Sequence, residues 1–253
     1  MNAVVFQANR QSWVAAGYRP NMASAIACRV SSDTSLRRVY HLTSAEHGIS
    51  NIALGRLKLA RFSDLNDPFE LIAANFRERE VRKIVRNFKS AFDAQTGLLC
   101  FSEDWAEPLL WSHYAAKHRG LCLGFDVPRN LLEKVKYQDD RLRTELDANA
   151  DPMQLPTELQ QALRCTKYRR WEYECEYRRF VPLEEATQEG RFHFVPFGQE
   201  LQLAEVILGT ECVLSLDTVR TTVQMRYPLA AVFKARLEFK GFHIVPQEST
   251  ISL

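Results

Sequence analysis

No run in this chain of 253 residues approaches the ~20 uninterrupted apolar residues that a helical membrane span needs, which argues against any membrane partner. The opening "MNAVVFQANRQSWVAAGYRP" has apolar runs too short for a signal peptide, broken as they are by Gln7, Asn9 and Arg10. There is no C-x-x-C pair. Cys28, Cys100, Cys122, Cys165, Cys175 and Cys212 are scattered, mostly inside apolar or strand-like runs, so the expectation is buried reduced thiols in a cytoplasmic protein and no metal site. G-x-S-x-G, the P-loop and G-x-G-x-x-G are all missing, so serine-hydrolase chemistry and nucleotide-loop phosphoryl transfer lose support. No internal repeat or low-complexity run occurs, and a net charge of +2 singles out no partner.

What is present reads as short strands mostly not alternating with long helices, which favours an α+β fold over a doubly wound sheet. Residues 1–36 form a weakly patterned lead-in, and 37–253 are expected to make one domain. "RRVYHLT" (37–43) reads as a strand; Thr43 and Glu46 then form a capping box for a helix that Gly55 stops. Between Phe76 and Phe92 the set Val81, Ile84, Val85, Phe88 marks an amphipathic helix. Its other face carries Arg77, Arg79, Arg82, Lys83, Arg86 and Lys89, a solvated surface or a nucleic-acid contact. "GLLCFS" (97–102) is a strand, Pro108 opens a helix that Gly120 closes, and "LCLGFDV" is the next strand. A polar linker covers 138–160. Later strands are expected at "AEVILG", "ECVLSL", "AAVFKARL" and "FHIVP", with Asp217 capping a helix over 218–226.

The most chemically suggestive piece is "ECEYRRFV" (174–181). As a strand, its period of two puts Glu174, Glu176 and Arg178 on one face. Adjacent like charges weaken pairing and need a reason. Either the carboxylates line a cleft, where they stabilise a cation or take a proton, or this is an edge strand kept soluble by charge, with Arg178 neutralising both acids. His41, within a strand, and Tyr114, four residues after Leu110, are equally compatible with packing. His113 and His118, five apart, do not have the spacing of helical zinc ligands.

Three blocks, "ARFSDLNDPFE" (60–70), "CFSEDWAEPLLWSHYAAKHRGLCLGFD" (100–126) and "KYRRWEYECEYRRF" (167–180), resemble the bacterial family called domain of unknown function 2971, and "LAEVILG" (203–209) also fits. A second similarity concerns the fold. A histidine in a first strand, an aromatic-Phe-Ser strand followed by a helix with tyrosine, and a glutamate opening a late strand resemble ADP-ribosyltransferases of the His-Tyr-Glu type. "YHLTSAEHGISNIALGRL" looks like their opening unit, toxins that modify DNA bases included. Where they carry Tyr-Phe-Ala this chain has Cys100-Phe101-Ser102.

That resemblance implies an ADP-ribosyltransferase-like split or bent, mostly antiparallel sheet with flanking helices, and NAD as substrate. Glu176 would hold the ribose and stabilise the ribosyl cation, and Glu174 would orient or deprotonate the acceptor. His41 and Thr43 would bind the adenosine-side ribose, and Ser102 with the ring of Phe101 or Tyr114 would hold nicotinamide. Arg169, Arg170, Trp171 and Arg178, in a block of cations interleaved with aromatics, would meet a macromolecular acceptor, nucleic acid or protein. Such an enzyme would serve as a toxin or phage-defence effector. The alternatives are a non-catalytic sensor that binds nucleic acid or protein, and an NAD glycohydrolase. Within 101–126, Trp111 is expected to be buried and Ser102 to stand at the mouth of the cleft.

Overall fold

A computed structural model of the chain describes residues 33–67, 69, 79–141 and 155–247. The lead-in up to residue 32, Cys28, Pro68, Glu70, Arg77 and residues 142–154 of the expected linker lie outside the described residues.

Strand β1 (Leu36–Thr43) leads into helix α1 (Ala45–Leu54). Thr43 is still paired with Leu121 in the ladder, so the cap moves on by one: Ser44, not Thr43, accepts from the His47 amide at 3.3 Å. Gly55 ends the helix in the left-handed conformation, φ 66°, as the sequence predicts. After β2 (Arg56–Lys58) comes α2 (Arg79–Gln95), which turns Val81, Ile84, Val85 and Phe88 inward and Arg82, Lys83 and Arg86 outward. There follow β3 (Thr96–Ser102), α3 (Pro108–Tyr114), β4 (Leu121–Pro128), β5 (Glu133–Lys134) and β6 (Lys136–Gln138). Next are α4 (Thr157–Arg164), β7 (Thr166–Tyr168), a 3-10 segment (Arg169–Glu174) and β8 (Glu176–Pro182). The order ends with β9 (Thr187–Glu189), β10 (Phe192–Pro196), β11 (Gln202–Leu208), α5 (Leu216–Arg226), β12 (Ala231–Leu237) and β13 (Ile244–Pro246).

Two expectations fail locally. "ECVLSL" is no strand: Cys212 is buried within a turn, and α5 starts at Leu216, capped by the Ser215 hydroxyl rather than by Asp217. The strand expected to start at Glu174 opens two residues later, because Cys175 takes a left-handed φ of 45° that no strand tolerates.

The fold is α+β, with a mostly antiparallel, curled main sheet in the order β13-β12-β11-β4-β1-β3-β8-β5. Its strands come from both sides of the 138–160 stretch. It is buried on both faces. On one, Leu121, Leu123, Phe125 and Val127 of β4 meet Ile52 of α1 and Val219 and Val223 of α5. On the other, Cys122 joins Tyr40, Trp105, Trp111 and Ile207. A third cluster, Phe62, Ile84, Phe88, Leu98 and Leu163, seats α2 and α4. Trp111 is fully buried, as expected, and its indole N–H donates to the Trp105 carbonyl at 2.6 Å.

Helix α3 stops at Tyr114 and is followed by three consecutive non-glycine residues in left-handed conformation, Ala116, Lys117 and His118 (φ 48°, 57° and 67°). The His118 amide donates back to the Trp111 carbonyl at 3.2 Å, and the His118 carbonyl accepts from the Glu211 amide at 3.0 Å. Gly120, expected as the helix stop, serves close packing instead: a Cβ there would lie 2.1 Å from the Thr43 carbonyl oxygen. Lys117→Gly should stabilise the fold by about 0.5–1 kcal/mol, since glycine carries no left-handed penalty. Trp111→Ala should cost roughly 3–5 kcal/mol. Urea unfolding of both variants checks the two signs.

Candidate functional site

β1 aligns with β4 along its whole length, Leu36 to Thr43, and β3 with β8 from Thr96 to Ser102. Between themselves, β1 and β3 pair at one position, Tyr40 with Ser102. Beyond it the strands part, and the His41 ring stands where a backbone partner would be, its Nδ1 3.2 Å from the Cys100 carbonyl oxygen. The carbonyl can only accept, so Nδ1 carries the hydrogen and Nε2 is left as an acceptor.

At this parting lies a cavity of about 130 Å³. β1 contributes Tyr40, His41 and Leu42; β3 contributes Cys100, Phe101 and Ser102; α3 contributes Leu110 and Tyr114. Leu65 and Asn66, where the "NDPFE" turn begins, form one lip, and Lys167, Glu174 and Glu176 close the polar end.

That end is a chain of hydrogen-bonded ions. Lys167 Nζ lies 2.5 Å from Glu174 Oε2 and 3.2 Å from Glu176 Oε2. Arg178 holds the same Glu176 through Nε at 2.8 Å and Nη2 at 3.1 Å, and spends Nη1 on the Arg164 carbonyl at 2.6 Å. Tyr114 donates its hydroxyl to Glu174 Oε1 at 2.5 Å and accepts from Asn66 Nδ2 at 2.9 Å. The Tyr137 hydroxyl accepts from the Glu176 amide at 2.8 Å. All four ions are buried, Arg178 completely, and their charges sum to zero. The left-handed Cys175 makes the arrangement possible. It turns the chain between the 3-10 segment and β8, so two glutamates on different elements meet one lysine.

Burial and charge set the ionisation. Glu176 is desolvated, yet Arg178 and Lys167 overcome this and hold it down at about 2. Burial raises Glu174, with Lys167 opposing and Glu176 adding to the rise. Burial lifts the Tyr114 hydroxyl well above its ordinary value, helped by the Glu174 charge. Burial lowers His41, only partly offset by its bond to the Cys100 carbonyl. What remains accessible of His41 lines the cavity.

Six of the sequence-derived candidates, His41, Phe101, Ser102, Tyr114, Glu174 and Glu176, line this one cavity. Thr43 does not; it is buried at the end of β1. Ser102 is buried rather than at the mouth, because its hydroxyl closes its own turn, donating to the Asp104 carbonyl at 2.7 Å. Arg178 cannot meet an acceptor: strand alternation turns it to the Glu176 side, inside the protein. Arg169 and Arg170 are exposed, with Arg169 paired to Asp139 at 2.8 Å. Trp171 is half-buried, its ring 6.1 Å from Tyr173, 6.4 Å from His113 and 5.0 Å from Lys167 Nζ. Lys167, Asn66 and Tyr137 were not singled out from the sequence. Two glutamates sharing a cleft require a cation between them, which points to the basic block around 164–179 without saying that Lys167 is the one.

Comparison with protein-family models, with curated proteins and with solved structures yields no match to this chain.

Two outcomes follow. Glu176→Gln leaves Lys167 and Arg178 with one charge too many in the interior and should cost roughly 3–5 kcal/mol. Glu174→Gln should cost less, because burial already disfavours its ionised form; paired melting curves measure the difference. Acid should act in two stages. His41 has a lowered folded pKa, so its contribution is full above its unfolded value of about 6.5 and is lost as pH falls from there. Glu176 contributes fully above its unfolded value, and that stability is lost as pH falls towards about 2. Glu174, raised on folding, opposes this, its ionisation costing stability as pH rises. His41→Gln should flatten part of the first stage, the part due to His118 remaining, and spare the second. Unfolding free energy measured against pH tests this.

Proposed function

We propose that this chain is an NAD-dependent ADP-ribosyltransferase-like enzyme, with the cavity between β1 and β3 as its reactive pocket and a macromolecule as its acceptor. Membership of the family of unknown function named above is part of the same proposal. The observation that carries it is convergence: residues from β1, β3, α3 and the 174–176 turn, far apart in sequence, line one cavity. An engineered cavity of about 150 Å³ takes one benzene ring. About 130 Å³ therefore suits a single ring, nicotinamide or its ribose, with the rest of a dinucleotide outside it.

The chemistry follows from the wall. The bond from ribose C1′ to nicotinamide nitrogen breaks, and its electron pair leaves with the ring, which departs neutral. The ribosyl centre becomes oxocarbenium-like, the kind of cation carboxylates stabilise. Glu176, held ionised by two cations, supplies fixed negative charge in a water-poor site. The acceptor nucleophile bonds to C1′ and gives its proton to Glu174, whose raised pKa brings it nearer a working base. Glu176 already accepts from Arg178, Lys167 and, weakly, the Cys100 thiol. A ribose hydroxyl in the cavity would replace that thiol, the weakest of these donors.

One observation favours a second reading, a binding module without turnover: the four buried ions satisfy one another before any ligand arrives. The two are separated by incubating the protein with NAD labelled in its adenosine half and total cell lysate, then measuring released nicotinamide and macromolecular label. Release and label are expected, and Glu174→Gln should lower both by roughly 10²–10⁴. Bound NAD with no nicotinamide released would favour the binding module. A folded Glu174→Gln with full activity would remove the transferase reading.

A further inference from the structure

A second cavity of about 260 Å³, twice the volume of the first, adjoins it through a shared wall. Lys167 lines both, and in the "NDPFE" turn Asn66 faces the first while Asp67 faces the second. The linings differ in character. Both have largely apolar walls, but the polar groups of the first are tied up in the buried ion chain, whereas the second carries Gln138, Asp139 and Asp140 from the end of β6, Thr166 and Tyr168 from β7, and Phe69 and Arg141. Tyr168 and Phe69 are 44% and 49% exposed, large rings left open to solvent. The Arg141 guanidinium lies 4.8 Å from the centre of the Phe69 ring. Asp140 makes no hydrogen bond or ion pair with any described residue.

We infer that this second cavity is a nucleobase subsite. A base is a flat ring system with N–H donors and acceptors on its edge. Open aromatic faces stack it, carboxylates accept from its amino or imino hydrogens, and an amide such as Gln138 answers either kind of group. A phosphate seated among Asp67, Asp139 and Asp140 would be repelled; Asp139 already pairs with Arg169 at 2.8 Å and Asp67 accepts from the Phe69 amide at 2.9 Å, which leaves Asp140 as the carboxylate available to a base. The exposed Arg170, beside the cavity in sequence, suits a phosphate next to a base. The volume exceeds one ring, as a purine requires.

The base has two sources: the adenine of a dinucleotide whose other end fills the first cavity, or a base of a single-stranded nucleic acid brought up as acceptor. The inference rests on the proposed function only for what joins the two cavities. The test uses calorimetry with adenosine and, separately, with a short single-stranded oligonucleotide of mixed sequence, on the full chain, Tyr168→Ala, Tyr168→Phe and Asp140→Asn. The Tyr168 ring is 44% exposed and belongs to none of the core clusters, so the fold should survive, which melting curves check. Tyr168→Ala should weaken base binding roughly 5- to 150-fold and Tyr168→Phe should retain it. Asp140→Asn should weaken binding of bases that present amino hydrogens. Weakened adenosine binding assigns the site to the dinucleotide; weakened oligonucleotide binding alone assigns it to the acceptor. If neither probe binds, or both bind unchanged in Tyr168→Ala and Asp140→Asn, the subsite is overturned. Nicotinamide release measured on the same samples keeps the two ideas apart. Release without base binding sinks the subsite alone, and base binding without release sinks the transferase alone.

Discussion

Taking Glu174, Lys167, Glu176 and Arg178 out of water together is the constraint around which the rest of the site is arranged. A single buried ion would neutralise itself by shifting its pKa, so the four persist as ions only as a balanced, hydrogen-bonded set. Each is then held within about 3 Å of its partners by three consecutive elements folded back on one another: β7 for the lysine, the 3-10 segment for one glutamate, β8 for the other and for the arginine. The left-handed Cys175 and the guanidinium bond to the Arg164 carbonyl follow from that requirement. The same mutual hydrogen bonding fixes the geometry of the cavity's polar end.

The gap that holds the cavity has its own cause. The β1–β3 ladder closes at one pair and then opens, so the Cys100 carbonyl needs a donor, and His41 supplies it from its ring. The bond to the carbonyl fixes the tautomer of the neutral ring, and burial is what favours that neutral form. The residue is thus structural and cavity-lining at once, and the two roles do not compete.

Much of this was legible in the sequence where local physics decides. The period of two in "EYRRFV" correctly put Glu176 and Arg178 on one face, and the 3.6-residue spacing of Val81, Ile84, Val85 and Phe88 gave the inner face of α2. Alternation failed at Glu174 because it presumes continuous strand, and nothing in "ECE" announces a left-handed cysteine. The cap falls on Ser44 rather than Thr43 because Thr43, the last residue of the expected strand, is still paired with Leu121 of β4. Lys167 was hidden among Arg164, Arg169, Arg170, Arg178 and Arg179, since composition does not say which cation of a cluster goes inside. Arg178 was misjudged as an acceptor contact for the same reason. The pairing of Asn66 with Tyr114, and the adjoining of two cavities across one turn, are long-range facts that no window of sequence contains.

The single-pair junction of β1 and β3 has a mechanical side. It divides the main sheet into a half running from β13 to β1 and a half running from β3 to β5, stitched at Tyr40 and Ser102. Any molecule seated in the gap touches both halves, so part of its binding energy acts as cohesion across the seam. Apart from that stitch the two halves are joined by side chains, Val39 and Phe125 of one packing in the same core cluster as Leu99, Phe101 and Tyr177 of the other, so filling the gap would add a further contact across the seam.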